Sequence, residues 1–153
     1  MRVLWISLLT LNLFVTAHAA DVVTGRIIKV LPFLLDEHGQ IAKSPSLFDR
    51  DAYQAYLRQH TNEVSGIRYD VLWTAKNAAD AKLKLRVELR GLDMSKLPKF
   101  KTLETEVKPG FFSKWTELPL TGEEYKQFGH AVAWRATLWD GDKQIAEQKS
   151  FLW

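Results

Sequence analysis

The sequence predicts a mainly β protein, built as a single antiparallel sandwich of about seven short strands. Residues 82–90 alternate apolar and charged side chains without interruption, the pattern of a strand with one buried face. The pair Asp140-Gly141 lies between two further alternating runs, as in a β-hairpin. Turn-forming residues separate the other candidate strands. A helix is expected after the first strand, and a short helical turn before the closing hairpin.

The first 19 residues are predicted to form a cleavable secretory signal peptide. Arg2 precedes an apolar run from Val3 to Val15, and the small residues Ala17 and Ala19 occupy the positions that a signal peptidase requires. A membrane-spanning helix needs about 20 apolar residues, so this run is too short. We therefore expect residues 20–153 to form one secreted or periplasmic domain without stable membrane insertion.

The composition of the mature domain excludes several classes of chemistry. Removing residues 1–19 takes away one arginine and no acid, so the formal net charge falls from +3 to +2. The charges are mixed along the chain, which argues against a nucleic-acid partner. The chain contains no cysteine. Disulfides, thiolate metal sites and thiol nucleophiles are therefore excluded, and we expect no cofactor.

The N-terminal part of the domain predicts a strand followed by a helix. Residues from Val22 to Leu35 are rich in β-branched and apolar side chains, and a turn follows at 36–39. The segment Ser46–His60 has apolar residues at helical spacing. Ser46 and Asp49 form a capping pair at its start.

The middle of the chain changes from helical to strand periodicity. Two strands are predicted at Ile67–Trp73 and Lys82–Arg90, separated by a turn at 77–80. A loop is expected at Gly91–Lys99. Two further strands are predicted at Phe100–Val107 and Phe111–Leu118, with Pro109-Gly110 between them.

A short helix is predicted at Gly122–Phe128. Thr121 and Glu124 have the spacing of a capping box, in which each side chain would bind the other residue's backbone N–H. Leu120 and Tyr125 occupy the hydrophobic-staple positions. Gly129 is placed to end the helix.

The last two strands are predicted to form a hairpin, with strands at Ala131–Trp139 and Gln144–Trp153. A three-residue loop would place Arg135 opposite Glu147, a favourable cross-strand pair. A four-residue loop would also fit the sequence, so the register stays open.

The order of these elements resembles that of immunoglobulin and fibronectin type III domains. Residues Leu118–Trp153 resemble their helical crossover and closing hairpin, and Trp73 is similar to their core tryptophan. The chain departs from the pattern in lacking a cysteine pair and in having a helix after the first strand. The run SPSLFDRDAYQAYLRQH followed by SGIRYDVLW also resembles uncharacterised families of secreted bacterial proteins. The resemblance implies an immunoglobulin-like sandwich and no particular activity.

No sequence motif indicates a catalytic or metal-binding centre. His38, His60 and His130 lack the spacing of a helical metal site. His38 stands beside two acids in a predicted turn, where solvated side chains are the simpler interpretation. A carboxylate pair assembled only in space stays possible.

The tryptophans supply the candidate binding residues. Trp73 and Trp134 share the phase of their strands' apolar faces, so we expect them in the core. Trp139 has the opposite phase, beside Arg135, and Trp115 lies in a mixed strand. The candidate partner-binding residues are therefore Trp139, Arg135 and Trp115.

The sequence predicts an exported, non-catalytic binding or accessory module that recognises a protein or peptide partner. One alternative is a carbohydrate-binding module that uses exposed tryptophans, because an outward indole can stack on a sugar ring. Another is a small periplasmic enzyme.

Overall fold

A computed structural model of the chain describes residues 22–93 and 95–153, so the predicted signal peptide lies outside the described residues. The fold class is confirmed: seven strands form two antiparallel sheets, with a helix after the first strand and a short helix before the closing hairpin. Within the described part of the chain, no helix has the length and apolar character needed to cross a membrane.

One sheet has three strands in the order β1-β2-β5, and the other has four in the order β4-β3-β6-β7. The strands are β1 (Thr24–Asp36), β2 (Val64–Lys76), β3 (Leu83–Leu92), β4 (Pro98–Val107), β5 (Lys114–Thr121), β6 (His130–Asp140) and β7 (Lys143–Lys149). The helices are α1 (Leu47–Gln59) and α2 (Gly122–Phe128).

The core lies between the two sheets and follows the predicted alternation. The apolar side chains of β3, from Leu83 to Leu89, are nearly inaccessible, whereas the intervening charged side chains face outward. Trp73 is 1% exposed, and its indole N–H donates a hydrogen bond to Thr116 Oγ1 at 2.8 Å. Burying each large apolar side chain stabilises the fold by about 1.5–3 kcal/mol. The expectation of a core position for Trp73 is confirmed.

Helix α1 covers the outer face of β1. The register places Phe33 and Leu35 on the side of β1 that faces away from the main core, yet both are buried. Leu57 of α1 is fully buried. The N-cap prediction is confirmed, since the Ser46 hydroxyl accepts a hydrogen bond from the Asp49 N–H at 3.3 Å.

Helix α2 has the predicted bounds, but the predicted capping box does not form. Thr121 is the N-cap residue without a side-chain cap hydrogen bond. Glu124 instead forms an ion pair with Lys101 of β4, at 2.9 Å. The helix ends at Gly129, whose φ of +80° favours glycine.

Several predicted boundaries are wrong. β3 continues through Leu92 and β4 begins at Pro98, so the loop between them is shorter than the predicted loop at 91–99. The predicted strand Phe111–Leu118 begins only at Lys114, because the first three residues lie in the loop after β4 and have no facing strand. β7 ends at Lys149 rather than Trp153, since the chain then turns and Ser150 binds the backbone of Trp134 at 2.9–3.0 Å.

The three-residue register of the closing hairpin is wrong. Trp139 pairs with Gln144, as the four-residue alternative places them, and Asp140 also pairs with Lys143, so the turn itself contains only Gly141 and Asp142. A bulge after Leu138 then shifts the pairing, and Lys149 rather than Glu147 lies opposite Arg135. The bulge inserts one residue that no spacing rule anticipates.

Candidate functional site

Two of the three candidate binding residues lie on the outer face of the four-stranded sheet. Pairing with β3 places Trp139 beside Lys84 and Arg135 beside Glu88. Trp134 has the opposite phase and packs against the core, as expected. The outward orientation of Trp139 and Arg135 follows from this alternation.

Arg135 is held by a charged and aromatic environment within the protein. Its Nε–H donates a hydrogen bond to Glu88 Oε2 at 2.8 Å, and its Nη2 lies 2.7 Å from the same oxygen in an ion pair. Glu147 lies diagonally across the hairpin, at 3.9 Å. The ring of Trp153 lies against the same guanidinium, at 5.0 Å, and against Arg90, at 4.1 Å. Arg135 is therefore engaged on several sides by the chain itself.

Trp139 is half-buried in a similar environment. Its indole N–H donates to Thr137 Oγ1 at 2.8 Å, and Thr137 is fully buried. The guanidinium of Arg86 lies over the indole ring, 4.9 Å from its centre. The polar end of the indole is thus satisfied internally, and one face of its ring is covered.

The charges around Arg86 continue onto β4. Glu104 contacts Lys84 at 2.9 Å and Arg86 at 2.7 Å, and these two cations hold its pKa below the ordinary value. We call the whole set the Arg–Trp layer: Arg86, Arg90, Arg135, Trp139 and Trp153. The layer covers the outer face of the four-stranded sheet.

Trp115 lies apart from the Arg–Trp layer. It stands on the outer face of the three-stranded sheet, where β5 places it opposite Leu72 of β2. Its side chain is 51% exposed, and it is the one tryptophan among residues 22–93 and 95–153 that is more than half exposed. The structure therefore separates Trp115 from the other two candidate residues.

A groove that sequence reasoning missed lies between β4 and β5, the facing edges of the two sheets. Its volume is about 370 Å³. The nearly buried Leu103 and Leu118 contribute apolar groups, and the charged residues along it are one lysine and three glutamates. The lining residues are Lys101–Thr105, Glu117–Pro119 and Glu124.

The outermost strands differ in how their edges are protected. The Gln54 amide of α1 accepts from the Leu34 N–H at 2.8 Å and donates to the Leu34 carbonyl at 2.9 Å, as a neighbouring strand would. This occupies the edge of β1. β5 contains Pro119, which lacks an N–H. β4 is the outermost strand of its sheet. From residue 99 to 107 its backbone edge has no proline, although Pro98 begins the strand and Lys99 and Lys101 lie on it.

The predicted turn after β1 serves to anchor α1. The buried Asp36 carboxylate accepts hydrogen bonds from the N–H groups of His38 and Gln40 and from the Tyr53 hydroxyl, at 2.8–2.9 Å. Burial alone would raise the Asp36 pKa, but these bonds outweigh it and the pKa lies below its ordinary value. Burial and the Asp36 carboxylate raise the pKa of Tyr53 to about 12. His38, which stands beside two acids in the sequence, is exposed, and its Nε2 lies 3.5 Å from Glu37 Oε1.

A cavity lies at the end of the sandwich that carries the β6–β7 turn. It measures about 720 Å³ and is open to solvent, and lysines and acids alternate around it: Lys82, Lys84, Glu106, Lys108 and Asp142. Across residues 22–93 and 95–153, no three histidine or acidic side chains are grouped so as to hold a metal ion.

No family model, curated protein or solved structure matches this chain.

Proposed function

We propose that this protein is an exported, non-catalytic binding module that recognises an extended segment of a protein partner by strand addition at β4. The observation that carries this proposal is the unprotected edge of β4 along the groove between the two sheets. An added strand gains main-chain hydrogen bonds from such an edge, and alternate side chains can enter the groove.

The side chains of β4 are already arranged for such a role. Glu104 is paired with β3, and Lys101 is paired with Glu124 of α2. Their charges are balanced within the protein, whereas the outer backbone edge is left for a partner. The remaining glutamate of the groove, Glu117, is paired with Arg68 at 3.2 Å, so the lining selects no particular charge on the segment.

The expected immunoglobulin or fibronectin type III relationship belongs to this proposal. The helix before the closing hairpin and the placement of β4 beside β3, in the sheet that also holds β6 and β7, support it. In variable-type immunoglobulin domains, extra strands are added to the corresponding sheet. Fold alone does not assign the partner.

The experiment uses peptides selected from a random library on the immobilised protein. Bound peptide should slow amide hydrogen exchange along residues 99–107, because strand addition occupies their outward backbone groups. Thr102→Cys, labelled with a bulky maleimide, should weaken peptide binding at least about tenfold. The chain has no other cysteine, so the label is unique.

The matched control is Thr24→Cys with the same label. Thr24 is also exposed and also lies on an outermost strand, but on β1. The labelled Thr24→Cys variant should leave peptide affinity unchanged. Two results would contradict binding at β4. One is slowed hydrogen exchange in a strand other than β4 when peptide binds. The other is an equal loss of peptide affinity with the two labels.

Glycan binding is the second candidate, and the exposure of Trp115 favours it. A sugar ring that stacks on this indole should change its fluorescence. Titration with a broad glycan panel should then give a response that Trp115→Phe abolishes and Trp139→Phe retains. A panel without any response would eliminate this candidate.

A further inference from the structure

The loop between β4 and β5 carries a pair of aromatic rings at its tip. Phe111 and Phe112 are 95% and 78% exposed, and their rings contact each other edge to face, with centres 5.0 Å apart. Neighbouring apolar side chains so fully exposed mark an interaction site more often than isolated ones do. We call residues 108–113 the aromatic loop.

The base of the loop is held by one lysine. The ammonium group of Lys114 donates hydrogen bonds to the backbone carbonyls of Lys108 and Pro109, at 3.1 and 3.3 Å. Gly110 lies against the side chain of Lys114, so closely that a Cβ at this position would collide with it. Pro109 fixes one backbone angle as well. The two rings are therefore presented on a defined loop.

The charged residues of the segment that carries the rings are positive. Lys108 and Lys114 flank the tip, and no acid occurs from residue 107 to 116. Rings at the tip with ammonium groups behind them match the depth profile of a bilayer surface. Aromatic side chains enter the boundary of the acyl chains, while lysines reach the anionic headgroups.

The loop lies at the end of the sandwich where β1 begins and β2 ends, opposite the end that carries the loop between β3 and β4.

We propose that the aromatic loop is a peripheral membrane anchor that docks reversibly on an anionic phospholipid surface. This surface is separate from the β4 edge and does not depend on the partner proposed for it. The protruding shape of the tip suits a bilayer, which accepts two convex rings without a preformed pocket. The flanking lysines supply the preference for anionic lipid.

The experiment attaches an environment-sensitive fluorophore to the aromatic loop, in the exported form of the protein. Ser113→Cys gives one labelling site beside Phe112. Vesicles of equal parts phosphatidylcholine and phosphatidylglycerol should shift the emission to the blue, and vesicles of phosphatidylcholine alone should do so much less. A label at Ser95→Cys, in the loop at the opposite end of the sandwich, should not respond.

Two variants test the mechanism. Phe111→Ser with Phe112→Ser should lower the fraction bound to anionic vesicles at least about tenfold, because both rings lose their burial in lipid. Its thermal unfolding should match that of the parent, since both rings are exposed. Lys108→Gln should weaken the preference for anionic lipid, with Lys114 kept because it holds the base of the loop.

Three outcomes would overturn the proposal. The first is an emission from the label at residue 113 that does not shift when anionic vesicles are added, as expected if the rings dock in a groove of another protein instead. The second is unchanged vesicle binding of the double serine variant. The third is an equal response at residues 95 and 113, which would show that the orientation is wrong.

Discussion

The guanidinium group of Arg90 lies 4.1 Å from the centre of the Trp153 ring. Arg135 approaches the same ring at 5.0 Å, so the last residue of the chain is packed between two arginines on the outer face of the four-stranded sheet. The register also places Ala133 on that face, and it is 3% exposed although it lies outside the main core. The C-terminal residues thus belong to the fold even though they leave β7.

Trp153→Ala should lower the free energy of unfolding by about 1–2 kcal/mol, through lost cation–π and packing contacts. Chemical denaturation monitored by circular dichroism measures this. Phe151→Ala is the matched control, since Phe151 is fully exposed and its loss should cost less than about 0.5 kcal/mol. Equal midpoints for the two variants would show that the Trp153 contacts do not stabilise the protein.

The Asp36 site predicts a specific pH dependence of stability. The pKa of Asp36 is lower in the folded protein than its ordinary value of 3.8, so its ionised form stabilises the fold above that pH. The contribution is lost as the pH falls through the folded pKa. Asp36→Asn should therefore be less stable by about 1–3 kcal/mol at pH 7, and the difference should shrink below pH 4. Denaturant unfolding at a series of pH values measures it.

Other acids titrate in the same range, so the informative quantity is the difference between the two proteins. Asp93 and Glu104 also have lowered pKa values, and they affect both proteins equally. A difference in stability that stays constant from pH 7 to pH 2 would contradict the assigned role of the Asp36 carboxylate.

Gln54 should be essential for docking α1 on β1. Its amide forms three hydrogen bonds at 2.8–2.9 Å, two to Leu34 and one to the Ile41 carbonyl, and the residue is 4% exposed. Gln54→Ala leaves these backbone groups without partners and should cost about 2–3 kcal/mol. The Leu34 amide should also exchange its hydrogen faster, which nuclear magnetic resonance can follow.

Gln59→Ala is the control on the same helix. Gln59 is exposed, so this change should have little effect on either measurement. If Gln54→Ala is no more damaging than Gln59→Ala, the side chain does not act as a substitute strand at the edge of β1.

Gly129 should tolerate no side chain, for two separable reasons. Its φ is +80°, and a Cβ there would also collide with the Leu92 carbonyl oxygen. Gly39 has a similar φ of +74° but open space around it. Gly39→Ala should therefore cost about 1 kcal/mol from backbone strain alone. Gly129→Ala should cost clearly more, as measured by thermal unfolding, and equal losses would show that the collision relaxes freely.

The strand and helix pattern was accessible to sequence reasoning because it depends on local periodicity. The alternation in β3, the Ser46 cap and the bounds of α2 each follow from residues close together in the chain. The Thr121 capping box failed for the opposite reason. An ion pair with Lys101, on another strand, draws Glu124 away from the helix end.

The candidate sites show the same division. The sequence by itself determined that Trp139 and Arg135 point away from the core, because side chains alternate along a strand. Only the tertiary structure decided that arginines and glutamates of neighbouring strands cover them, and that Trp115 stands apart on the other sheet. The unprotected edge of β4 likewise depends on which strands are outermost. Periodicity specifies the face of a strand, but its neighbours depend on contacts between residues far apart in the chain.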